Sequence, residues 1–249
     1  MTLKADILVG TSGWHYLHWR GPFYPPEMKP AGFLQYYVRY FDSVELNNSF
    51  YRLPTEAAMV RWRDAVPPGF VFAVKASRFL THQKKLREIE APLALFLERA
   101  ALLADRLGPV LFQLPPRFGF QPARLEALLK AFPRGLQAAF EFRDPDWLRP
   151  EALALLRRYG AALCIYDFAG QQAPLEVTAD FTYVRLHGPG GAYAGSYSYD
   201  SLARWADILR AWAETGITAY CYFDNDEAGY AVHNALTLKS LLGQPTPGY

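Results

Sequence analysis

Eight short apolar runs, all but one followed by a helical pattern, order this chain, and few architectures accept that rhythm. The strand candidates are residues 7–11, 43–47, 70–75, 110–114, 138–143, 161–167, 181–187 and 218–224. Helical patterns occupy 33–41, 56–66, 92–107, 122–132, 150–159, 201–215 and 231–242. Pro92, Pro122 and Pro150 sit near helix starts, where a missing N–H costs little. Gly108, Gly160 and Gly216 sit just past helix ends, where a left-handed cap favours glycine. Strands alternating with helices predict a parallel sheet. At 249 residues the expected form is one (β/α)8 TIM-type barrel domain spanning 1–249. The sixth unit is irregular: between Asp167 and Phe181 there is no room for a full helix, and Leu175-Glu176-Val177 reads as a short strand.

Charge placement within the strands adds a second constraint. Ser43-Val44-Glu45-Leu46-Asn47 alternates polar and apolar residues, as do Ala139-Phe140-Glu141-Phe142-Arg143 and Tyr183-Val184-Arg185-Leu186-His187. Successive strand side chains point to opposite faces. If Val44, Leu46, Phe140, Phe142, Val184 and Leu186 face the helices, then Glu45, Asn47, Glu141, Arg143, Arg185 and His187 face the barrel interior. The same reasoning sends Lys75, Gln113 and Asp167 inward at the C-terminal ends of their strands. Active sites of this fold lie at that mouth. The competing reading is an ion-pair network that only closes the barrel. Valine and leucine would build such a plug at lower cost.

Loops at the same end carry further candidates. Trp14, Tyr16, Trp19, Phe23 and Tyr24 follow the first strand, with Phe50 and Tyr51 after the second. Such rings could stack a base or a sugar, or pack into a hydrophobic minicore. The glycine-rich stretch from Gly188 to Gly195 could hold an anion on its N–H groups or act as a lid. His82 lies in a basic loop, and Asp224, Asn225 and Asp226 end the last strand, where they suit either a substrate contact or turn chemistry. No HExxH, Walker loop or GxGxxG pattern is present.

Composition bounds the remaining classes. A net charge of +2 is too small to announce a nucleic-acid protein. Cys164 and Cys221 both fall inside strand candidates and read as buried free thiols, which suits a reducing cytosol. Residues 1–6 lead straight into a strand without a signal-peptide core, and no apolar run reaches the roughly 18 residues of a membrane span. The expectation is a cytoplasmic protein with no membrane partner.

Several motifs resemble the YecE-like family, domain of unknown function 72. They include Gly10-Thr11-Ser12-Gly13-Trp14, Trp19-Arg20-Gly21-Pro22-Phe23-Tyr24-Pro25 and Glu45-Leu46-Asn47-Asn48-Ser49-Phe50-Tyr51. Thr81-His82, Gly108 to Pro116, Glu141-Phe142-Arg143 with Trp147, Arg185-Leu186-His187-Gly188 and Phe223-Asp224-Asn225-Asp226 extend the likeness to about Leu242. The resemblance implies a TIM-type barrel and supplies no established activity. It also implies a distant likeness to metal-dependent abasic-site endonucleases, from which this mouth departs in having few histidines.

The functional expectation is an enzyme of hydrolase or isomerase type. Glu45 and Glu141 are the acid/base pair, assisted by His187 or Asp167. Lys75, Arg143 and Arg185 would bind a small phosphate- or carboxylate-bearing substrate, with Asn47, Gln113, His82, Asn225, Trp14 and Tyr51 as further contacts. No cofactor is required by this reading. The first alternative is a metal-dependent phosphodiesterase on nucleic acid, with a divalent metal on the same acids and His187. The second is a non-catalytic nucleic-acid or nucleotide binder.

Overall fold

The computed structural model describes residues 5–247; residues 1–4, read above as a lead-in to the first strand, lie outside them. Among the described residues nine strands are formed: β1 (Ile7–Thr11), β2 (Ser43–Leu46), β3 (Val71–Lys75), β4 (Leu107–Leu114), β5 (Ala138–Phe142), β6 (Ala162–Phe168), β7 (Gln171–Gln172), β8 (Phe181–Leu186) and β9 (Thr218–Phe223). Parallel pairing runs in the order β1-β9-β8-β6-β5-β4-β3-β2, and the antiparallel β7 is a spur on β6. The eight long strands make a nearly closed barrel. Helices α1 (Phe33–Tyr37), α2 (Asn48–Tyr51), α3 (Glu56–Asp64), α4 (Glu90–Ala101), α5 (Pro122–Ala131), α6 (Pro150–Tyr159), α7 (Tyr199–Glu214) and α8 (Tyr230–Leu241) alternate with the strands.

Two apolar cores follow from strand parity. Val44, Phe72, Phe140 and Val184 belong to the core between strands and helices. Ala73, Leu111, Cys164, Tyr183 and Tyr222 fill the barrel itself. Small residues on β3 and β5 (Ala73, Ala139) face large tyrosines on β8 and β9, so the interior is packed rather than open. Both cysteines are buried and free.

The seam between β1 and β2 carries no backbone ladder among the described residues; Tyr37 from α1 spans it. Its hydroxyl accepts from the Thr11 N–H at 3.0 Å and donates to the Ser43 carbonyl at 3.2 Å. Gly10 makes this approach possible, because a Cβ there would stand 2.2 Å from the Ser43 carbonyl oxygen. Gly10→Ala is therefore expected to lower the unfolding free energy by about 1–3 kcal/mol, the usual cost of an overpacked contact. Denaturant unfolding would check this, and an unchanged midpoint would mean the seam is looser than described.

Two sequence expectations change. Gly108 is not a helix cap: α4 stops at Ala101 and Gly108 lies inside β4, where a Cβ would meet the Val71 side chain at 2.3 Å. Leu175–Val177 forms no strand; Glu176 pairs with Arg157 at 2.5 Å. The short strand is β7 instead, made by a two-residue turn at Ala169 and Gly170, both with positive φ. Ala-Gly is a weak signal for that turn, and so the hairpin was missed. As expected, no helix follows β6 before β8.

Candidate active site

Arg185 is the centre of the mouth. It is fully buried on β8, and three carboxylates from three other parts of the barrel surround its guanidinium. Nη2 donates to Glu45 Oε1 at 2.7 Å and to Asp224 Oδ2 at 2.9 Å, while Nη1 donates to Glu141 Oε2 at 2.7 Å. Parity accounts for this convergence. Glu45 ends β2, Glu141 ends β5, and Asp224 follows β9, so each inward side chain points along the same axis. Glu45 also accepts from the Ser12 hydroxyl and the Tyr183 hydroxyl, each at 2.6 Å. Glu141 accepts from Gln113 at 2.9 Å and from Arg143. Neither glutamate retains any exposure.

The electrostatics follow from these contacts. Burial alone would raise the Glu141 pKa, but Arg185 and Arg143 outweigh it and hold the carboxyl well below its ordinary range. Asp224 is likewise lowered, Arg185 and His187 overcoming its desolvation. His187 Nε2 lies 2.9 Å from Arg143 Nη2, and a guanidinium nitrogen can only donate, so Nε2 presents its lone pair. The ring proton is then on Nδ1, donated to Asp224 Oδ2 at 3.1 Å. The 3.3 Å approach of Nε2 to Glu141 is a contact across the Arg143 fork.

Lys75, on the same layer at the end of β3, is different. It is 8% exposed and, among the described residues, has no carboxylate within ion-pairing distance and no hydrogen-bond partner for its ammonium. Its Nζ sits 4.3 Å from the centroid of Phe50. Burial first, and Arg185 second, push its pKa down to about 8, the three acids only partly opposing them. His82, on a π-helical turn over Phe79–Gln83, packs edge-on against the same Phe50 ring at 5.0 Å. Burial, Lys75 and Arg78 lower its pKa to about 4. The mouth is rimmed by Arg143, whose guanidinium lies 4.2 Å from the Phe168 centroid, and by half-buried Asn47, whose Oδ1 has no hydrogen-bond partner among the described residues.

Thus Glu45, Lys75, Gln113, Glu141, Arg143, Arg185 and His187 do come together, and Asn47 and His82 stand beside them. Four candidates do not join. Asp167 lies on the outward face with Leu163 and Ile165 and is hydrogen-bonded by Tyr197. Its strand is apolar on both faces, so parity was not legible; Cys164 and Tyr166 took the inside. Asn225 also faces outward and ties the Gly195 carbonyl to Asn234 at 2.8 and 2.9 Å. Trp14 is buried edge-on against Trp62 at 5.5 Å, lining a side cavity of about 550 Å³ with Arg61. Tyr51 is exposed beside Arg52 on an adjoining cavity. Most of the other loop aromatics pack together, Tyr24 stacking on Phe33 at 4.0 Å.

The glycine-rich loop folds over the site. Gly188 donates to the Tyr197 hydroxyl and Gly195 to Glu227, so two of its N–H groups are already engaged. Tyr193 at its tip reaches within 5.5 Å of the His187 ring and 5.7 Å of Phe168. Sequence reasoning missed Tyr193, Ser12 and Tyr183 as members of this mouth. A cavity of about 1140 Å³ lies at the opposite end, between Lys130, Arg134 and Asp180. It holds no comparable buried cluster, and barrel chemistry belongs to the mouth.

A family model described as "Protein of unknown function DUF72" matches residues 8–248. The chain belongs to this family. It is 26% identical over 269 residues to UPF0759 protein YunF of Bacillus subtilis, covering 95% of this chain and 94% of that one. UPF0759 protein YecE of Escherichia coli K12 is 35% identical over 117 residues, a stretch covering 46% of this chain and less than half (42%) of YecE. A crystal structure of a DUF72 family protein from Thermotoga maritima superposes with a TM-score of 0.86 at 30% identity, covering 96% and 100% of the two chains. More distant barrels share the fold alone, among them a D-psicose 3-epimerase from Clostridium cellulolyticum at 9% identity and TM-score 0.56, covering 95% and 97%. No helix among the described residues is long and apolar enough to cross a membrane.

Proposed function

We propose that this chain is a barrel enzyme of proton-transfer type acting on a small phosphate- or carboxylate-bearing substrate at the C-terminal mouth. One observation carries the reading: Lys75 is a nearly buried ammonium with no counter-ion, while all three neighbouring carboxylates are turned onto Arg185. The Phe50 ring face compensates this buried charge only in part, and a substrate anion would supply the missing counter-charge. The roles differ from those expected at first. Glu45 and Glu141 have no exposure and hold Arg185, so they set the field around its guanidinium. Lys75 and Asp224, whose side chain is 15% exposed, are titratable groups that reach the mouth. Arg143, 12% exposed, would be the second anion contact. The guanidinium of Arg185 occupies the space between the acids where the alternative reading would put a divalent metal.

Calorimetric titration of inorganic phosphate into the protein should give saturable heat. In Lys75→Met affinity should fall at least tenfold, since a hydrogen bond to a charged group contributes about 1.5–3 kcal/mol. Absence of saturable heat in the unaltered protein would remove the anion from this reading.

A further inference from the structure

We propose that Lys75 is a nucleophile, condensing through Nζ with the aldehyde or ketone of its substrate to form a Schiff base. This rests on the anionic-substrate reading above and narrows the substrate class to carbonyl-bearing phosphates or carboxylates, whose anionic group passes from Lys75 to Arg143 as the carbonyl meets Nζ. The placement supports it. Nζ lies at the end of β3 against the Phe50 ring, with no ion pair or hydrogen bond among the described residues to hold its lone pair or proton in place. Arg143 and Arg185 present guanidinium groups, which only donate hydrogen bonds, and cannot serve. A desolvated lysine beside another cation is the environment that activates an amine for carbonyl chemistry. The groups facing it are Arg185, Glu141, Glu45 and Asp224, with His82 across Phe50. Burial and Arg185 lower its pKa to about 8, so an appreciable neutral fraction is present near neutrality.

The balance is simple. The neutral amine's electron pair forms the C–N bond while the carbonyl π pair moves to oxygen. Oxygen takes up a proton and nitrogen releases one, giving a carbinolamine. Expulsion of the hydroxyl, with a second proton, releases one water and leaves the protonated imine. No oxidant or reductant takes part.

Borohydride trapping tests this. The protein is incubated with glycolaldehyde phosphate or glyoxylate and sodium cyanoborohydride, then mapped by peptide mass. The expected result is one adduct on the peptide carrying Lys75. It should form at least about tenfold faster than on any other lysine, as its lowered pKa implies. The rate should rise with pH through about 8. Lys75→Arg should abolish that adduct while still giving saturable heat with phosphate. Adducts spread over the lysines with no preference for Lys75 overturn the nucleophile, and the anion reading survives if phosphate still binds. Selective labelling of Lys75 that is equally fast with neutral glycolaldehyde and is not slowed by phosphate supports the nucleophile and overturns the anion.

Discussion

Arg185→Met is expected to lower the unfolding free energy at pH 7 by about 3–5 kcal/mol, the usual consequence of removing one partner from a buried ion network. Three carboxylates lose a common donor, and Glu45 and Glu141 have no water to turn to. The deficit should depend on pH in a defined direction. In the parent protein the folded-state pKa values of Glu141 and Asp224 lie below the ordinary ones, so their contribution is full at neutral pH and is lost only on strong acidification. Without Arg185, desolvation raises these carboxyls, and they take up protons more readily when folded. The variant therefore recovers relative to the parent as pH falls from 7 toward 4. Chemical denaturation across that range would show it. A deficit that stays constant or widens on acidification would contradict the network as described.

Lys75→Met is expected to do the reverse and raise stability. Lowering a lysine from 10.5 to about 8 corresponds to roughly 3 kcal/mol of strain while the group is charged in both states. Methionine keeps an apolar stem against Phe50 and removes the charge. Below pH 8 the folded parent holds its proton under strain. Between about 8 and 10.5 it sheds the proton that the unfolded chain retains, so parent stability rises with pH and the advantage of the variant closes. A gain at pH 7 accompanied by loss of phosphate binding is the pattern of a residue retained for function at a cost to stability. A loss of stability at pH 7 would mean that the Phe50 ring and the nearby acids already compensate the Lys75 charge.

The distinction between these two cations was not legible in the sequence. Arg185 and Lys75 both end strands on inward positions, and alternation alone placed both correctly at the mouth. Which cation the acids choose depends on contacts that cross the whole barrel, such as Arg185 to Glu45 and Tyr183 to Glu45. No local pattern encodes those pairs. Alternation worked best where it was cleanest: on β2, β5 and β8, apolar residues on one face leave the charged ones no other side. It failed on β6, where either face could be buried, and Asp167 went outward. Asn225 shows a different limit, since a polar residue at a strand end suits a substrate contact or a loop anchor equally, and here it anchors the Gly195 segment. The aromatic loop could be read as a stacking surface or a minicore. Burial of Trp14, Trp19 and Tyr24 places these three in the core.

The central claim is that Lys75 is a cation without a counter-ion, awaiting a substrate anion. A crystal structure grown in phosphate tests it most directly. The expected result is a phosphate oxygen within hydrogen-bond distance of Lys75 Nζ, with Arg143 as the second contact and the Arg185 contacts to Glu45, Glu141 and Asp224 unchanged. A mouth without phosphate at saturating concentration, with Lys75 Nζ paired to one of those three carboxylates, would contradict it.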